Sequence, residues 1–189
     1  FYDDMKPLRI KLDPALTASQ NAQKYYKDYR KARTAETVLA QQIQQAREDL
    51  DYIDTVFDAL SRAETERELA EIRQELSEQG FLRTPKGKQK QPPLLGPMRF
   101  TTAGGFTVLV GRNNRQNDKL TLKQADNRDI WFHTKNIPGS HVILVTEGRT
   151  PAEADLVAAA QLAAWHSKAR ESSQVPVDYT QVRHVNKPQ

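Results

Sequence analysis

The chain has 189 residues, 28 Lys and Arg against 24 Asp and Glu, 38% hydrophobic residues and no cysteine. That length holds one ordinary globular domain with an appendage, or two small domains. The missing cysteine excludes a disulfide-stapled scaffold, a thiol nucleophile and any Cys-based zinc site, and points to a reducing compartment.

The longest nearly apolar run, residues 157–165, falls well short of the roughly 20 residues of a membrane-spanning helix, so no membrane span is expected. The chain opens on Phe1 and not Met, which reads as a fragment or processed product. Residues 1–98 carry 16 basic and 16 acidic groups, and residues 99–189 carry 12 and 8, so the whole excess lies in the second half. The first half is itself polarised. Residues 24–33 hold five basic groups and one acid, residues 47–78 hold four and eleven, and bases resume at Arg83, Lys86, Lys88 and Lys90. Such a distribution suits a molecule that meets a polyanion at one end and something else at the other.

Residues 1–14 read as an extended lead-in, with Leu8, Ile10 and Leu12 alternating with Arg9 and Lys11 as in a half-buried strand. Asp13 and Pro14 then open a helix. From Ala22 the apolar positions Tyr25, Tyr29, Ala32, Leu39, Ile43, Ala46, Leu50, Ile53, Phe57 and Leu60 keep alternating spacings of three and four, with Glu36 in the one gap. No Pro or Gly interrupts residues 15–62, so one helix of about 70 Å is predicted. Leu69, Ile72 and Leu76 offer a second, shorter stripe ending at Gly80. The expected arm, residues 15–80, is therefore an antiparallel hairpin turning near residues 61–66. Its acidic tip, Asp51, Asp54 and Asp58, is expected far from the C-terminal domain. There it would meet a basic partner.

Residues 81–97, rich in Pro, Gly and Lys, read as a linker. Beyond them, residues 98–101 and 106–110 look like strands joined at Gly104-Gly105, and residues 113–124 hold a short helix. Residues 130–133 and 141–146 are further strands flanking Pro138-Gly139. Thr150-Pro151-Ala152-Glu153 supplies N-cap, N1 proline and capping-box Glu for a helix to about Ser167, and a last strand covers residues 177–185. The fold class is α+β, a helical arm followed by a small mixed domain over residues 98–189.

Four groups of residues carry candidate chemistry. Arg112, Asn113, Arg115, Gln116 and Asn117 follow a strand with the forks and amides that contact phosphate, ribose or base edges. The same residues equally suit an Asn-rich loop capping its own backbone. Trp131, Phe132, His133, Ser140 and His141 fall within eleven residues, fit either to stack on bases or to fill a core, with His133 and Ser140 expected near the rim of the Arg and Asn-rich turn. Lys24, Lys27, Arg30, Lys31 and Arg33 interleave with Tyr25, Tyr26 and Tyr29. The seam explains Tyr25 and Tyr29, and leaves Tyr26 and the charges open to an anion or to solvent. His133, His141 and His166 lack the spacing of a zinc site, and no nucleophile elbow or phosphate loop occurs. No metal, cofactor or enzymatic activity is expected.

The blocks LDPALTASQNAQKYYKDYRKAR, GFTVLVGRNNRQNDKLTLKQADNRDIWFHTKNIPGSHVIL and VDYTQVRHVNKP resemble the C-terminal half of the NFACT family. Its bacterial, RqcH-type members are ribosome quality-control proteins, often labelled fibronectin- or fibrinogen-binding proteins. The resemblance implies a coiled-coil arm followed by the NFACT-R domain, proposed to bind RNA. It further implies partners in the large ribosomal subunit, with a basic ribosomal protein at the arm tip, and in charged tRNA, and alanine tailing of stalled chains without mRNA. The family's N-terminal domain has no counterpart here, so tailing by this chain alone is not expected. The family pattern continues beyond Lys187-Pro188, so the last strand is expected to be incomplete. The location implied is cytoplasmic. The competing class is a surface adhesin for fibronectin or fibrinogen. Under the RNA-facing reading, replacing Arg112 and Arg115 by Ala lowers RNA affinity and leaves the fold intact.

Overall fold

The computed structural model describes residues 2, 3, 6, 7, 9–83 and 94–186. The expectations for Leu8, for most of the linker including Lys86, Lys88 and Lys90, and for Lys187-Pro188-Gln189 lie outside them. The chain divides into two compact units, Phe1–Leu50 and Asp51–Gln189.

In the first unit, β1 (Tyr2–Asp3) and β2 (Lys6–Pro7) form a two-stranded antiparallel ladder. The strand expected around Ile10 and Leu12 is absent from the described residues, where both side chains are exposed with no sheet to alternate against. Helix α1 (Ala18–Arg62) is one unbroken helix, as the seam requires, but starts three residues later than predicted. Asp13 and Pro14 spend themselves on a turn. The buried Asn21 amide donates to the carbonyls of Asp13, Leu16 and Thr17 and its oxygen accepts from the Asp13 N–H. Thr17 and Gln20 form the reciprocal pair typical of a helix start, each side chain accepting from the other's backbone N–H.

In the second unit, α1 ends at Arg62 and α2 (Glu66–Glu78) begins behind Thr65, whose hydroxyl accepts from Glu68 N–H while Glu68 reaches back to Thr65 N–H. The hairpin forms, but not on the predicted seam. Ile72 and Leu76 pack on Tyr52, Val56, Ala59 and Ala63, one residue round the helix from Ile53, Phe57 and Leu60. Leu50, Phe57 and Leu69 are consequently 69%, 64% and 44% exposed, and Leu39 and Ile43 are likewise exposed. A heptad seam identifies a helix face that wants cover; it does not say which face a short neighbour with its own polar commitments will take.

The C-terminal part is a five-stranded antiparallel sheet, β3 (Met98–Thr101), β4 (Thr107–Val110), β5 (Ile130–Thr134), β6 (Val142–Val145) and β7 (Val177–Gln181), in the order β3-β4-β6-β5-β7. Gly105, at φ +77°, makes the β3–β4 turn that a side chain would strain. Period-2 alternation sends Val108, Val110, Phe132, Val142 and Leu144 to one face, where the small residues Ala159 and Ala163 let α4 (Glu153–Trp165) approach closely. Each such buried side chain contributes about 1.5–3 kcal/mol. The N-cap of α4 is Ala152 and not Thr150, because the buried Asp155 carboxylate takes the Ala152 and Gly104 N–H groups and so sets the helix start.

The opposite face of the sheet, with Leu109, Trp131, Ile143 and Val145, is covered by α3 (Asn114–Lys119), the π-helical turn Leu120–Gln124 that continues it, and the 3-10 turn Val182–His184. That last turn replaces the second half of the predicted final strand.

Candidate nucleic-acid interface

In the first unit, α1 displays Lys24, Lys27, Arg30 and Lys31 around Tyr25, Tyr26 and Tyr29, all exposed. Lys24 lies 3.9 Å from Asp13, Tyr25 donates its hydroxyl to the Lys11 carbonyl, and Arg33 donates to the Tyr29 hydroxyl at 3.4 Å. The Tyr26 and Tyr29 rings are 6.4 Å apart. Lys27, Arg30 and Lys31 form no ion pair among the described residues. They keep the free charge that phosphate contact needs.

In the second unit the Arg and Asn-rich segment behaves otherwise than predicted. It is not an exposed electropositive turn: it docks on the acidic face of α2. Glu68, Glu71, Glu75 and Glu78, spaced three, four and three, line one side of that helix. Arg112 Nη1 pairs with Glu68, and its Nε donates to the Gly96 carbonyl. Asn113 Nδ2 and Gln116 Nε2 both donate to Glu71 Oε2, at 3.1 and 2.9 Å. The Arg115 backbone N–H points at Glu75 Oε2 and its guanidinium at Glu78 Oε1, 3.2 Å away. Asn113, buried, also caps α3 by accepting from Gln116 N–H.

Buried Asn117 stitches inward instead, accepting from His141 N–H at 3.0 Å. A methyl group at Gly111 would run into its side-chain oxygen, which is why the backbone there is glycine. Arg112, with 27% of its side chain exposed against 11% for Glu68, is a partly desolvated pair and no solvent-facing fork. The forks and amides of this segment suit phosphate, but four carboxylates of the same chain meet them first.

Burial raises the Glu68 carboxyl, but the Glu64 N–H, the Thr65 hydroxyl and Arg112 together bring it below its ordinary value. Glu75 goes the other way. Burial raises it, and the bonds from the Tyr52 hydroxyl, Arg115 N–H and Asn114 only partly compensate.

The acidic tip is also corrected. Asp54 binds Lys168 Nζ at 2.7 and 2.9 Å, and buried Asp58 accepts from Arg62 Nε and Nη2. Arg62 Nη1 in turn donates to Ser140 Oγ, which donates to the Gly111 carbonyl. Asp54 and Asp58 thus hold the hairpin to the sheet and are not a remote docking tip; Asp51 remains exposed. Ser140, placed at a rim by the sequence, is 1% exposed.

Phe132 is buried under α4, whereas Trp131 lies on the opposite face, stacked on His133 at 5.8 Å and edge-on to His141 at 5.3 Å. Thr121 Oγ1 holds His141 Nδ1 at 2.8 Å. Burial, reinforced by His133, lowers His141 to about 4, and burial lowers His133 too, so both rings are neutral near pH 7. They form a half-buried aromatic cluster with Trp131 on this face of the sheet.

His166 stands apart against Phe100 and lines a cavity of about 110 Å³ of mixed character, with Arg62, Glu68 and Arg112 beside Ile72 and Met98. No group of three or more metal-ligating side chains assembles among the described residues.

The glutamates of α2 and Arg62 hold this region together and are the residues that sequence reasoning missed. Their one signal was the 3-4-3 spacing of the acids beside the Ile72 and Leu76 stripe.

Residues 1–93 match the NFACT N-terminal and middle domains, which corrects the expectation that this part of the family has no counterpart here, and residues 97–189 match the NFACT protein RNA binding domain. The chain is 45% identical to "Rqc2 homolog RqcH" of Bacillus subtilis (strain 168) over its full length, and 42% identical to the protein of the same name from Streptococcus suis over 99% of it. It spans about a third of the length of these curated relatives, 33% and 34%. A solved structure, the C-terminal part of the fibronectin/fibrinogen-binding protein from Streptococcus suis, superposes with a TM-score of 0.82. Its identity is 40%, over 93% of this chain and 70% of that one. With both domain matches, this identity and a common fold, the chain belongs to the NFACT family and is of the RqcH type.

Proposed function

We propose that this chain is the RNA- and large-ribosomal-subunit-binding part of a ribosome quality-control factor. Its parent recruits charged tRNA for alanine and so directs mRNA-independent tailing of stalled chains in the cytoplasm. The observation that carries this reading is the 45% identity to an RqcH protein along the whole chain, together with the RNA-binding-domain match over residues 97–189. The exposed Lys27, Arg30 and Lys31 of α1 support it, since long-range attraction to RNA needs charge not already neutralised. The chain acts as a binding module and not a catalyst. Its half-buried imidazoles are neutral near pH 7, and His141 lies against the buried Thr121 hydroxyl and the Trp131 ring as a packing partner.

The test is co-sedimentation of the full-length parent with free large subunits from cell lysates at rising salt. Recovery in the large-subunit fraction at low salt, lost as salt rises, is expected; absence from that fraction at every salt overturns the reading. Hydrolytic or transferase activity in the isolated chain would contradict the binding-module assignment.

A second reading, a surface adhesin, is favoured by one observation, the fibronectin/fibrinogen-binding name of the 40% identical solved neighbour. It requires that the parent be released from intact cells by brief external protease treatment, and the first reading requires that it is not.

A further inference from the structure

If the Arg and Asn-rich segment is committed to α2, the RNA-facing charge of the second unit must lie elsewhere. Most cations of this unit are already engaged: Arg62 with Asp58, Arg112 with Glu68, Arg115 with Glu78, Arg128 with Asp126, Lys135 with Asp178, Arg149 with Glu147, Lys168 with Asp54 and Arg170 with Glu171. Among the described residues of the unit, Arg73, Arg83, Arg99, Lys119, Lys123 and Arg183 form no ion pair. Three of these six gather at one corner.

Lys119 closes α3 and Lys123 sits one turn on, inside the π-helical turn Leu120–Gln124, which is closed by the Ala125 N–H on the Leu120 carbonyl at 2.9 Å. Residues four apart share a helix face, and the wider π turn keeps them there. Both are exposed, and so is Leu122 between them. Arg183 lies on the 3-10 turn Val182–His184, which is fastened to the loop leaving the π turn. Val182 N–H bonds the Asp129 carbonyl at 2.9 Å and Arg183 N–H the Asn127 carbonyl at 3.3 Å, and buried Leu120 and Val182 share one core cluster. The nearby acids are Asp118, Asp126, which is taken by Arg128, and buried Asp129, which accepts from Thr146. A π turn is a rare insertion that recurs at functional sites, and here it presents cations from a rigid, core-anchored element.

We propose that Lys119, Lys123 and Arg183 form the phosphate-contacting surface for RNA on the C-terminal domain. This rests on the RNA-binding reading above and assigns it a place. The side chains are long, exposed and mounted on backbone that cannot shift without disturbing Leu120 and Val182, so phosphate contacts are made without new ordering of the fold.

The experiment measures binding of a fluorescently labelled single-stranded oligouridine to the 189-residue chain over a series of salt concentrations. The parent is compared with K119Q/K123Q/R183Q and with a control of equal charge loss, R73Q/R83Q/R99Q, each checked by a melting curve. Single-strand contacts contribute roughly 0.7 counterion each, so the first variant should lower the salt slope by about 2 and the control should leave it unchanged. K123Q alone should lower it by about 0.7, which keeps the test decisive if the triple variant is unstable. Parent-like slopes in the corner variants, or an equal loss in the control, overturn the surface while RNA binding stands. A parent that does not bind the oligonucleotide overturns the RNA-binding reading and the surface together.

Discussion

Arg112 shows how one side chain changes meaning with its neighbours. Exposed, a guanidinium in this segment would cost nothing to remove; against Glu68 it neutralises a carboxylate on a largely buried side chain that is already committed to the α2 cap. Arg112→Met should therefore destabilise the chain by about 2 kcal/mol, because it strands a partly buried charge. Urea unfolding checks this, and an unchanged midpoint would remove the clasp from the stability account. Asp155 is a comparable case without a salt bridge. Its buried carboxylate serves Gly104 N–H, Ala152 N–H and the Thr102 hydroxyl, the last being the main reason its acidity is enhanced. Asp155→Ala leaves these donors unmet and should lower the midpoint of the same unfolding experiment.

At the scale of elements, α1 and α2 divide two tasks that a heptad pattern treats as one. The second half of α1 uses the Tyr52, Val56 and Ala59 face for α2, leaving the predicted seam uncovered along the described residues. The α2 helix is amphipathic twice over, with Ile72 and Leu76 toward α1 and four glutamates toward residues 112–116. In α1 the charges of the first unit remain available. Replacing Lys27, Arg30 and Lys31 by Gln should reduce the salt slope of RNA binding by about 2 and leave helicity intact, since Gln is as good a helix former as Lys. Circular dichroism beside binding isotherms tests it; an unaltered slope would detach this cluster from RNA.

For the whole molecule, pH is the informative variable. His141 titrates near 4 in the folded chain and near 6.5 when unfolded, so between these values the unfolded chain binds more protons. Its contribution is complete above about pH 6.5 and is lost as pH falls toward 4, amounting to a loss of about 2 kcal/mol by pH 5. His166, lowered to about 4 by burial and then by Arg62 and Arg112, acts in the same sense. Glu75 opposes them: its raised folded value means the folded chain binds the extra proton as pH falls. The prediction is a melting temperature that drops between pH 7 and 5 and drops less in His141→Gln. An equal drop in parent and variant would show that the ring is not the group being charged.

The α+β class, the unbroken α1 and most strand positions were legible because each rests on a local period. Three-four spacing without Pro or Gly can only be a helix, and alternation bounded by Gly and Asn favours strands. The family was legible too, since GRNNRQND and DIWFHTKNIPGSHV are specific strings. The destinations of those strings were not. Whether Arg112 meets RNA or Glu68, whether Ser140 forms a rim or bridges Arg62 to Gly111, and whether Asp54 is a tip or the partner of Lys168 depend on pairs 44, 78 and 114 residues apart. Hydrogen-bonding chemistry is written in the residue type, but its partner is chosen by which surfaces the chain brings together. A charge therefore became available or spent only when the tertiary structure closed around it.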